Sequence, residues 1–406
     1  MVGAGAAPVP AMRLFNTLGA GLEEFTSASE VSLYVCGVTP YDTTHVGHAR
    51  TYLVFDVLIR QLMNKGLKVH YVQNITDVDD SIVARAAQLN EPYDELGGRY
   101  TGIYMEDVAA LGMIPARAYP RASEAIPEMQ ELIRRLLATG RAYRIGGDVF
   151  MSVADVSTYG ELSRLDRALM LDIESQQDGS TVGDERKKDP LDVLLWRRID
   201  DAGPRWESPW GPGRPGWHVE CSTLAIKHLG RQIDIHGGGG DLVFPHHEAE
   251  IAQSEAVTGL RPFVRFWVHV AMVHLGGQKM SKSDGHMVFV RDLLKGYPAD
   301  ALRLYLLSVH YRSVFDFDEQ ELKSWAGVAS KLSKAAHSQA DRGRSDEMDS
   351  ASLQTRFDHA LDSDLDTPSA IDALKELAAH VGHSKSHRAQ RLLRRLAARL
   401  GLSLEV

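Results

Sequence analysis

Two short segments far apart in the chain carry side chains suited to phosphate chemistry. His45 and His48 flank Val-Gly at the start of a predicted helix, and Lys279 and Lys282 lie in the polar run 279–283. When a carboxylate attacks the α-phosphate of ATP, negative charge grows on the phosphate oxygens and on the leaving pyrophosphate. Such a transfer needs positioned hydrogen-bond donors and cations more than a covalent nucleophile. Histidines near a helix N-terminus and lysines on a loop supply both, so together the two segments predict ATP binding.

Four other side chains are suited to holding a metal ion. The chain has only two cysteines, Cys36 and Cys221, and a later helix begins with His-His-Glu-Ala-Glu. In that helix His246 and Glu250 are four residues apart, so they lie on one face. Two thiolates, one imidazole and one carboxylate form a tetrahedral zinc set, although the spacing is not that of a zinc finger. The residues alone leave a second interpretation open, in which two buried cysteines lie beside a solvated helix end.

A strand–helix–strand unit is predicted to position the first of these residues. The run 32–36 is apolar and favours a β-strand, an amphipathic helix follows it, and a second strand covers 69–73. This order is typical of a parallel βαβ unit. Ligands of such sheets bind beyond the carboxyl ends of the strands. Residues 36–39 and 74–76 fall at that edge, so we expect them to face the ligand.

Apolar periodicity and turn residues divide the rest of the chain. The expected elements are helices over 94–143, a polar surface loop over 171–188, a strand over 189–196, an ordered loop rich in Gly, Pro and Trp over 206–217 that enters a helix at His218, a strand over 233–236 with a glycine turn at 237–240, and helices from about 300 with a polar break near 342–350. The predicted regions are an N-terminal tail and lead-in (1–30), the first half of a nucleotide-binding core (31–93), an insertion (94–190), the second half of the core (191–299) and a helical C-terminal domain (300–406).

Size and charge restrict the class of protein. With 406 residues the chain is long enough for two or three domains. A formal net charge of −9 argues against a generally basic nucleic-acid binder but leaves room for a local basic surface. No stretch approaches the roughly 20 apolar residues of a membrane span, and the small, apolar opening reads as a loose tail rather than a signal peptide. We therefore expect a cytoplasmic protein that binds no membrane.

A line of arginines near the end of the chain has two interpretations. Arg388, Arg391, Arg395 and Arg399 recur at helical spacing, opposite a row of leucines. They form either the solvated face of an amphipathic helix or a stripe that contacts nucleic-acid phosphates. The pattern favours the solvated face.

Six motifs, in this order, resemble those of the cysteinyl-tRNA synthetases, a family of class I aminoacyl-tRNA synthetases. They are Tyr34-Val-Cys-Gly37, His45 to Arg50, Gly216-Trp-His-Val-Glu-Cys221, His236 to Asp241, Phe244-Pro-His-His-Glu248 and Lys279 to Ser283. The resemblance covers residues 30–320. It implies an α/β fold, with a Rossmann-like (HUP-type) parallel-sheet core, an insertion and a C-terminal helical bundle. It also implies a ligase that joins ATP and L-cysteine into cysteinyl-adenylate and finally releases AMP and diphosphate.

The resemblance implies a role for each candidate residue. One zinc ion would bind the thiolate of the substrate, which separates cysteine from serine better than shape alone can. Its ligands would be Cys36, Cys221, His246 and Glu250. The catalytic residues would be His45, His48, Lys279 and Lys282. The adenylate would contact Gly37, Thr39, His45, His48, Gly239, Gly240, Val273 and Lys282. The cysteine pocket would comprise Cys36, Thr51, Thr76, Trp217 and Asp241. Magnesium is expected to accompany ATP, and the sequence identifies no dedicated ligand for it.

Two acceptors for the activated cysteine stay open. One related enzyme transfers cysteine to tRNA, and the other, the cysteine ligase of mycothiol biosynthesis, couples it to a glucosaminyl-inositol. Glu250 as a fourth ligand, Arg50 and the segments 159–163 and 187–192 favour tRNA. The end of the chain at Val406, without the usual small anticodon domain, and the segment starting at Gly37 favour the amino sugar. We expect tRNA(Cys) as the acceptor and a monomeric enzyme. Intact ATP and zinc residues argue against a third interpretation, a catalytically silent regulator.

Overall fold

A parallel sheet of four strands lies at the centre of the structure. The structure is a computed structural model that describes residues 11–200, 203–280, 287–340 and 348–405. The strands are β1 (Met12–Asn16), β2 (Gly21–Phe25), β3 (Glu30–Val38), β4 (Lys68–Ile75), β5 (Ala142–Ile145), β6 (Asp148–Met151), β7 (Val193–Arg198), β8 (Gly213–Pro215), β9 (Ile233–Gly239), β10 (Val264–Val270), β11 (Val273–Leu275), β12 (Gln278–Lys279) and β13 (Phe315–Asp316). The helices are α1 (Val46–Asn64), α2 (Asp80–Leu89), α3 (Tyr93–Ala110), α4 (Ile126–Ala138), α5 (Arg167–Ser175), α6 (Trp217–Leu229), α7 (Glu248–Thr258), α8 (Val290–Leu293), α9 (Ala299–Leu306), α10 (Glu319–His337), α11 (Met348–Asp362), α12 (Thr367–Ser384) and α13 (His387–Arg399). Within the described ranges, no helix is both long and apolar enough to cross a bilayer.

The central sheet has the strand order β10-β9-β3-β4, and every neighbouring pair is parallel. Runs of buried apolar residues in β3 and β10 suit strands that are covered on both faces. Helix α1 connects β3 to β4, which confirms the predicted βαβ unit. Strand β9 continues through Gly239, beyond the predicted strand 233–236. Glycine is required within it, because a Cβ at Gly237 would overlap the carbonyl oxygen of Val268 and the ring of Phe55.

The chain between β4 and β9 contains its own antiparallel sheet, with the order β5-β6-β7-β8. The predicted strand at 189–196 is confirmed as β7. The domain boundaries predicted from the sequence place β7 and β8 in the second half of the core. In the structure, however, β7 pairs with β6 and β8 pairs with β7. Part of the stretch predicted as a polar loop forms α5, which buries Met170. The insertion therefore includes chain that the predicted boundaries assign to the core.

The N-terminal lead-in contains a β-hairpin of β1 and β2 that lies against β10. Asn16 joins the two, since its Nδ2 donates to the carbonyl oxygen of Arg265 (2.9 Å) and its Oδ1 accepts from the backbone N–H of Trp267 (3.0 Å). The backbone N–H of Thr17 donates to the carbonyl oxygen of Trp267 (2.9 Å). The hairpin therefore holds Thr17 against the edge of the central sheet. The start of the predicted tail, residues 1–10, lies outside the described residues.

The C-terminal helices share a hydrophobic core with α1 and the central sheet. Arg303 of α9 is fully buried where they meet. Its guanidinium binds the carboxylate of Asp56 in α1 and donates to the carbonyl oxygens of Leu111 (2.8 Å) and Leu400 (3.0 Å). A buried guanidinium is costly without such partners, so this contact holds the helical region on the core.

The arginine line on α13 divides into two parts. Arg399 is buried, and its guanidinium binds the carboxylate of Asp358 and the Oε1 of Gln61 (2.7 Å). It therefore joins α13 to α11 and α1. The other three, Arg388, Arg391 and Arg395, are exposed. For those three, both the solvated-face and the phosphate-binding interpretations stay predictions.

Candidate active site and metal centre

Four buried side chains from separate elements converge near the carboxyl end of β3. They are Cys36 of β3, Cys221 of α6, His246 of a short π-helical turn (Val243–His247, interrupted by the extended Phe244) that precedes α7, and Glu250 of α7. The Sγ atoms of the cysteines are 3.7 Å apart, and Cys36 Sγ lies 3.6 Å from Glu250 Oε1. Nε2 of His246 is 3.1 Å from the same oxygen. The four donor atoms all lie within 4.8 Å of one another, so one ion can contact them together.

The distances between these donors match a tetrahedral zinc site. Zinc bonds of about 2.3 Å to sulfur and about 2.0–2.1 Å to nitrogen or oxygen give tetrahedron edges of about 3.8 Å and about 3.3 Å. The observed sulfur–sulfur distance of 3.7 Å and nitrogen–oxygen distance of 3.1 Å are close to these edges. Within the described part of the chain, the buried atoms His246 Nε2 and Glu250 Oε2 make no hydrogen bond, and the 3.1 Å approach of Nε2 to Glu250 Oε1 is an ion-pair contact only. Buried polar atoms are normally partnered, so these two atoms fit metal ligands.

The electrostatics of the cluster also favour a cation. Burial raises the pKa of the Glu250 carboxyl well above its usual range. Burial, together with Cys221, raises the pKa of the Cys36 thiol in the same way. Burial acts to raise the pKa of Cys221 too, but a hydrogen bond from Cys36 and the nearby His246 outweigh it and lower that pKa to about 7. Ionised ligands are costly to bury unless a cation lies beside them, and zinc would offset that cost.

A second set of donors overlaps the first and is missing from the sequence prediction. Cys36 Sγ lies 3.5 Å from His236 Nε2 and 3.3 Å from His247 Nε2. Those nitrogens are 3.6 and 3.9 Å from Glu250 Oε1. The second set is thus Cys36, His236, His247 and Glu250. Burial lowers the pKa of both histidines well below the usual range, so both rings are neutral. The available sequence signals were the second histidine of the His-His pair and the histidine that precedes the glycine run.

The two residues at the start of α6 orient His246. The indole of Trp217 stacks on the imidazole of His246, with ring centroids 4.3 Å apart and planes 25° apart. Nδ1 of His246 is 2.9 Å from Nδ1 of His218. Burial lowers the pKa of His218 well below its usual range, so that ring is neutral. If Nε2 of His246 faces a metal, its proton is on Nδ1 and His218 accepts it, a common way to fix a metal-binding histidine.

A cavity of about 260 Å³ adjoins the donor cluster. Cys36 belongs both to the cluster and to the wall of this cavity. Most of the residues predicted to bind ATP or cysteine line it. They are Cys36, Gly37, Thr39, His45, His48, Thr51, Trp217, Gly239, Asp241 and Val273. The structure therefore brings residues from four separate segments of the chain around one space.

Two predicted residues lie outside the lining of this cavity. Thr76 is buried, and its hydroxyl accepts a hydrogen bond from Nδ2 of Asn74 (2.9 Å). Oδ1 of Asn74 in turn accepts from the backbone N–H of Gly37 (2.8 Å), where a Cβ would overlap the carbonyl oxygen of Asn74. Thr76 therefore acts on the cavity wall through Asn74. Gly240 begins the short 3-10 turn that leads from β9 to Asp241.

His45 is the N-cap of α1, and this role fixes its tautomer. Its Nδ1 accepts hydrogen bonds from the backbone N–H groups of Gly47 (3.1 Å) and His48 (3.3 Å). An accepting nitrogen carries no proton, so the ring proton is on Nε2. The rings of His45 and His48 stack with centroids 3.6 Å apart. Both line the cavity at the N-terminus of α1, where a helix favours anions.

The predicted lysine loop follows a β-hairpin. Strands β11 and β12 are antiparallel, and the backbone of Lys279 pairs with His274. Gly276 and Gly277 both have positive φ, as a tight two-residue hairpin turn requires. These two glycines therefore form the hairpin turn that precedes the lysine run. The side chain of Lys279 and the whole of Lys282 lie outside the described residues.

Comparison with known proteins identifies the family. Residues 23–326 match the family described as the catalytic domain of class I tRNA synthetases (C). The chain belongs to the cysteinyl-tRNA synthetases. The cysteine–tRNA ligase of Dehalococcoides mccartyi is 42% identical over 405 residues, which cover 97% of this chain and 87% of that protein. The enzyme of Geobacter sulfurreducens is 43% identical over 385 residues, covering 91% and 79%.

Solved structures of other class I synthetases share the fold. The Mycobacterium tuberculosis methionyl-tRNA synthetase bound by methionyl-adenylate aligns with a TM-score of 0.64 at 16% identity, covering 93% of this chain and 88% of that one. The LeuRS of Agrobacterium radiobacter K84, in a complex with tRNA and LeuAMS, aligns with a TM-score of 0.66 at 13% identity, covering 93% and 85%. The predicted α/β class I synthetase fold is confirmed, and the chain is a ligase of this class.

Proposed function

We propose that the chain activates L-cysteine with ATP and transfers the cysteinyl group to tRNA. The observation that carries this proposal is the position of Cys36, which belongs to the donor cluster and also lines the cavity beside His45 and His48. A metal ion on the cluster would face a substrate bound in that cavity. Relatives named cysteine–tRNA ligase, 42–43% identical over most of the chain, support the same activity.

The donor cluster would select the amino acid. Zinc held by Cys36, Cys221, His246 and Glu250 would act as a Lewis acid that binds a thiolate better than it binds the hydroxyl of serine. The Trp217 ring, held by its stacking on His246, would form one wall of the side-chain pocket. The carboxylate of Asp241, at the end of the glycine run, would accept hydrogen bonds from the substrate ammonium.

The N-terminus of α1 and the lysine loop would act on the phosphates of ATP. A carboxylate oxygen of cysteine forms a bond to the α-phosphorus while the bond to the departing pyrophosphate breaks. The Nε2–H of His45, with the ring of His48, would donate to phosphate oxygens that gain charge. Lys279 and Lys282 would add positive charge to the triphosphate, which magnesium accompanies. Preorganised donors of this kind are the main source of catalysis in such transfers.

A second cavity offers a place for the acceptor. Its volume is about 230 Å³, and it shares Thr39, Tyr41 and Trp217 with the first. The rest of its lining comes largely from the insertion and carries both signs of charge, with Arg197 and Arg214 beside the carboxylates of Asp80, Glu174 and Asp178. A polar lining suits the hydroxyls of a ribose. An acceptor bound there would approach the adenylate across the wall that the cavities share.

Acceptor transfer tests the proposal directly. Zinc-loaded full-length protein is given ATP and labelled cysteine, then purified tRNA or glucosaminyl-inositol in parallel. We expect cysteine to become esterified to tRNA. An amide with the amino sugar, and no charged tRNA, would instead assign the enzyme to thiol biosynthesis. Failure of transfer together with failure of cysteine-dependent pyrophosphate exchange would indicate a silent regulator and overturn the proposal.

A further inference from the structure

A line of three hydrogen bonds connects the N-terminal hairpin to the donor cluster. Thr17 Oγ1 lies 2.7 Å from Nδ1 of His269, and Nε2 of His269 lies 2.7 Å from Nδ1 of His247. Nε2 of His247 lies 3.3 Å from Cys36 Sγ. The four residues come from four separate segments: the turn after β1, strand β10, the π-helical turn and strand β3. Of these residues, only Cys36 was predicted to take part in the site.

The hydrogen bonds of this line can all point in one of two directions, either from Thr17 towards Cys36 (forward) or from His247 towards Thr17 (reverse). The hydrogen bond between Nε2 of His269 and Nδ1 of His247 needs one N–H and one lone pair, so the proton position on one ring fixes that on the other. A neutral imidazole has one N–H and one accepting nitrogen. If Thr17 donates to His269, then His269 donates to His247 and the Nε2–H of His247 donates to Cys36. In the reverse direction, Nε2 of His247 carries no proton and presents a lone pair to the cluster.

The two directions correspond to the two overlapping donor sets. With a proton on Nε2, His247 cannot be a metal ligand, and the metal is left to the set that contains Cys221 and His246. With a bare Nε2, His247 is a suitable ligand in the set that contains His236. The direction of the line therefore decides which donors surround the ion.

The two ends of the line determine its direction. A metal-bound thiolate has no proton, so a metal-bound Cys36 only accepts from His247. The hydroxyl of Thr17 can donate or accept. The backbone of Thr17 is fixed by hydrogen bonds on both its N–H and its carbonyl oxygen. Its N–H donates to the carbonyl oxygen of Trp267 (2.9 Å), and its carbonyl oxygen accepts from Nη1 of Arg164 (2.7 Å). Thr17 can therefore supply the proton that the forward direction needs.

We propose that Thr17 and His269 are positioning residues that hold His247 as a hydrogen-bond donor to Cys36 and keep it out of the metal's coordination sphere. This inference rests on the proposed zinc site. Such outer contacts commonly fix the orientation of ligands and tune the electron density at a metal. The same line explains why a histidine so close to Cys36 and Glu250 is not itself a ligand.

Nitrogen-15 NMR of labelled histidines in the zinc-loaded full-length protein reads the direction of the line. We expect His247 and His269 to carry their protons on Nε2, with His247 assigned through the His247→Gln variant. Zinc bound in the presence of an Nδ1–H tautomer at His247 would overturn the inference and leave the zinc site intact. Protein that binds no zinc at all would overturn both, and metal analysis distinguishes the two failures.

A matched pair of variants tests the contribution of the Thr17 hydroxyl. Thr17→Val keeps the shape but removes the donor, whereas Thr17→Ser retains it. We expect the zinc dissociation constant, measured by competition with a chromophoric chelator, to rise about tenfold in Thr17→Val, at the low end of the effect of outer-shell partners. The thiolate-to-metal band of the cobalt-substituted protein should shift in the same variant. Thr17→Ser should restore both readouts. Wild-type zinc affinity and an unshifted cobalt band in Thr17→Val would overturn the inference.

Discussion

The Sγ atoms of Cys36 and Cys221 lie 3.7 Å apart, although 185 positions separate the two residues in the chain. This distance is far longer than the roughly 2.05 Å of a disulfide, and both thiols are free and buried. The approach depends on α6, which follows the insertion and returns Cys221 to the carboxyl end of β3. The pair therefore links the proposed selectivity for cysteine to a contact made only in the folded core.

Replacing Cys221 by serine should remove most of the zinc affinity. A hydroxyl is a much poorer zinc ligand than a thiolate, so we expect Cys221→Ser to weaken zinc binding by at least about 100-fold, more than outer-shell changes do. Chelator competition measures zinc affinity, and calorimetry measures cysteine affinity. Thr223→Ser, a buried change in the same helix without a metal donor, is the control. Undiminished cysteine affinity in Cys221→Ser without zinc would refute the metal assignment.

Two substitutions at His45 separate its structural and catalytic roles. Asparagine is a good N-cap, so His45→Asn should keep α1 intact while it removes the Nε2–H donor. We expect the rate of adenylate formation, measured by pyrophosphate exchange, to fall by about 10²–10³. His45→Ala should show the same loss and also unfold more easily, by about 0.5–2 kcal/mol, because the cap is lost. Near-normal exchange in His45→Asn would show that this ring does not contact the phosphates.

Lys282 should contribute charge stabilisation in the transfer itself. Loss of one preorganised donor costs about 10²–10³ in rate, so we expect Lys282→Ala to slow single-turnover adenylate formation by that factor. Lys323→Ala, on the exposed face of α10, is the matched control and should leave the rate unchanged. A Lys282→Ala rate close to that of the control would mean that the run 279–283 is not the catalytic loop.

Glu174 should make the folded state less stable as pH rises. Burial raises the pKa of this carboxyl from 4.5 to about 7, opposed by the nearby Lys187. Well below pH 4.5 this carboxyl is protonated in both the folded and the unfolded state, so it causes no change of stability with pH. Between about pH 4.5 and 7 the unfolded chain ionises first, so the free energy of unfolding falls, by at most about 3 kcal/mol, and then levels off. Urea unfolding of Glu174→Gln between pH 5 and 8 should show a flatter profile. A profile identical to that of the original protein would contradict this assignment.

Much of the fold and the cluster follows from patterns that are local in the sequence. The apolar run of β3, the amphipathic α1 and the apolar β4 predict a parallel unit whose ligand edge includes Cys36 and Gly37. The pairing of β7 with β6 has no such signal, because an apolar strand of this length suits either sheet. Its partner is decided by the path of the insertion, which local periodicity does not report.

The second donor set and the Thr17 line could not be predicted for a similar reason. Thr17 lies in a short hairpin, and its approach to His269 depends on the packing of that hairpin beside β10. His236 and His247 are close to Cys36 only because β9 neighbours β3 and the π-helical turn lies over both. Buried histidines are common in cores, so their residue type alone does not separate a ligand from a neighbour of a ligand.

ATP–pyrophosphate exchange by the zinc-loaded chain, with cysteine and with serine, tests the central claim most directly. The account predicts exchange that requires cysteine, is orders of magnitude weaker with serine, disappears when zinc is removed and returns when zinc is restored. Absence of cysteine-dependent exchange from zinc-loaded, folded protein would contradict it.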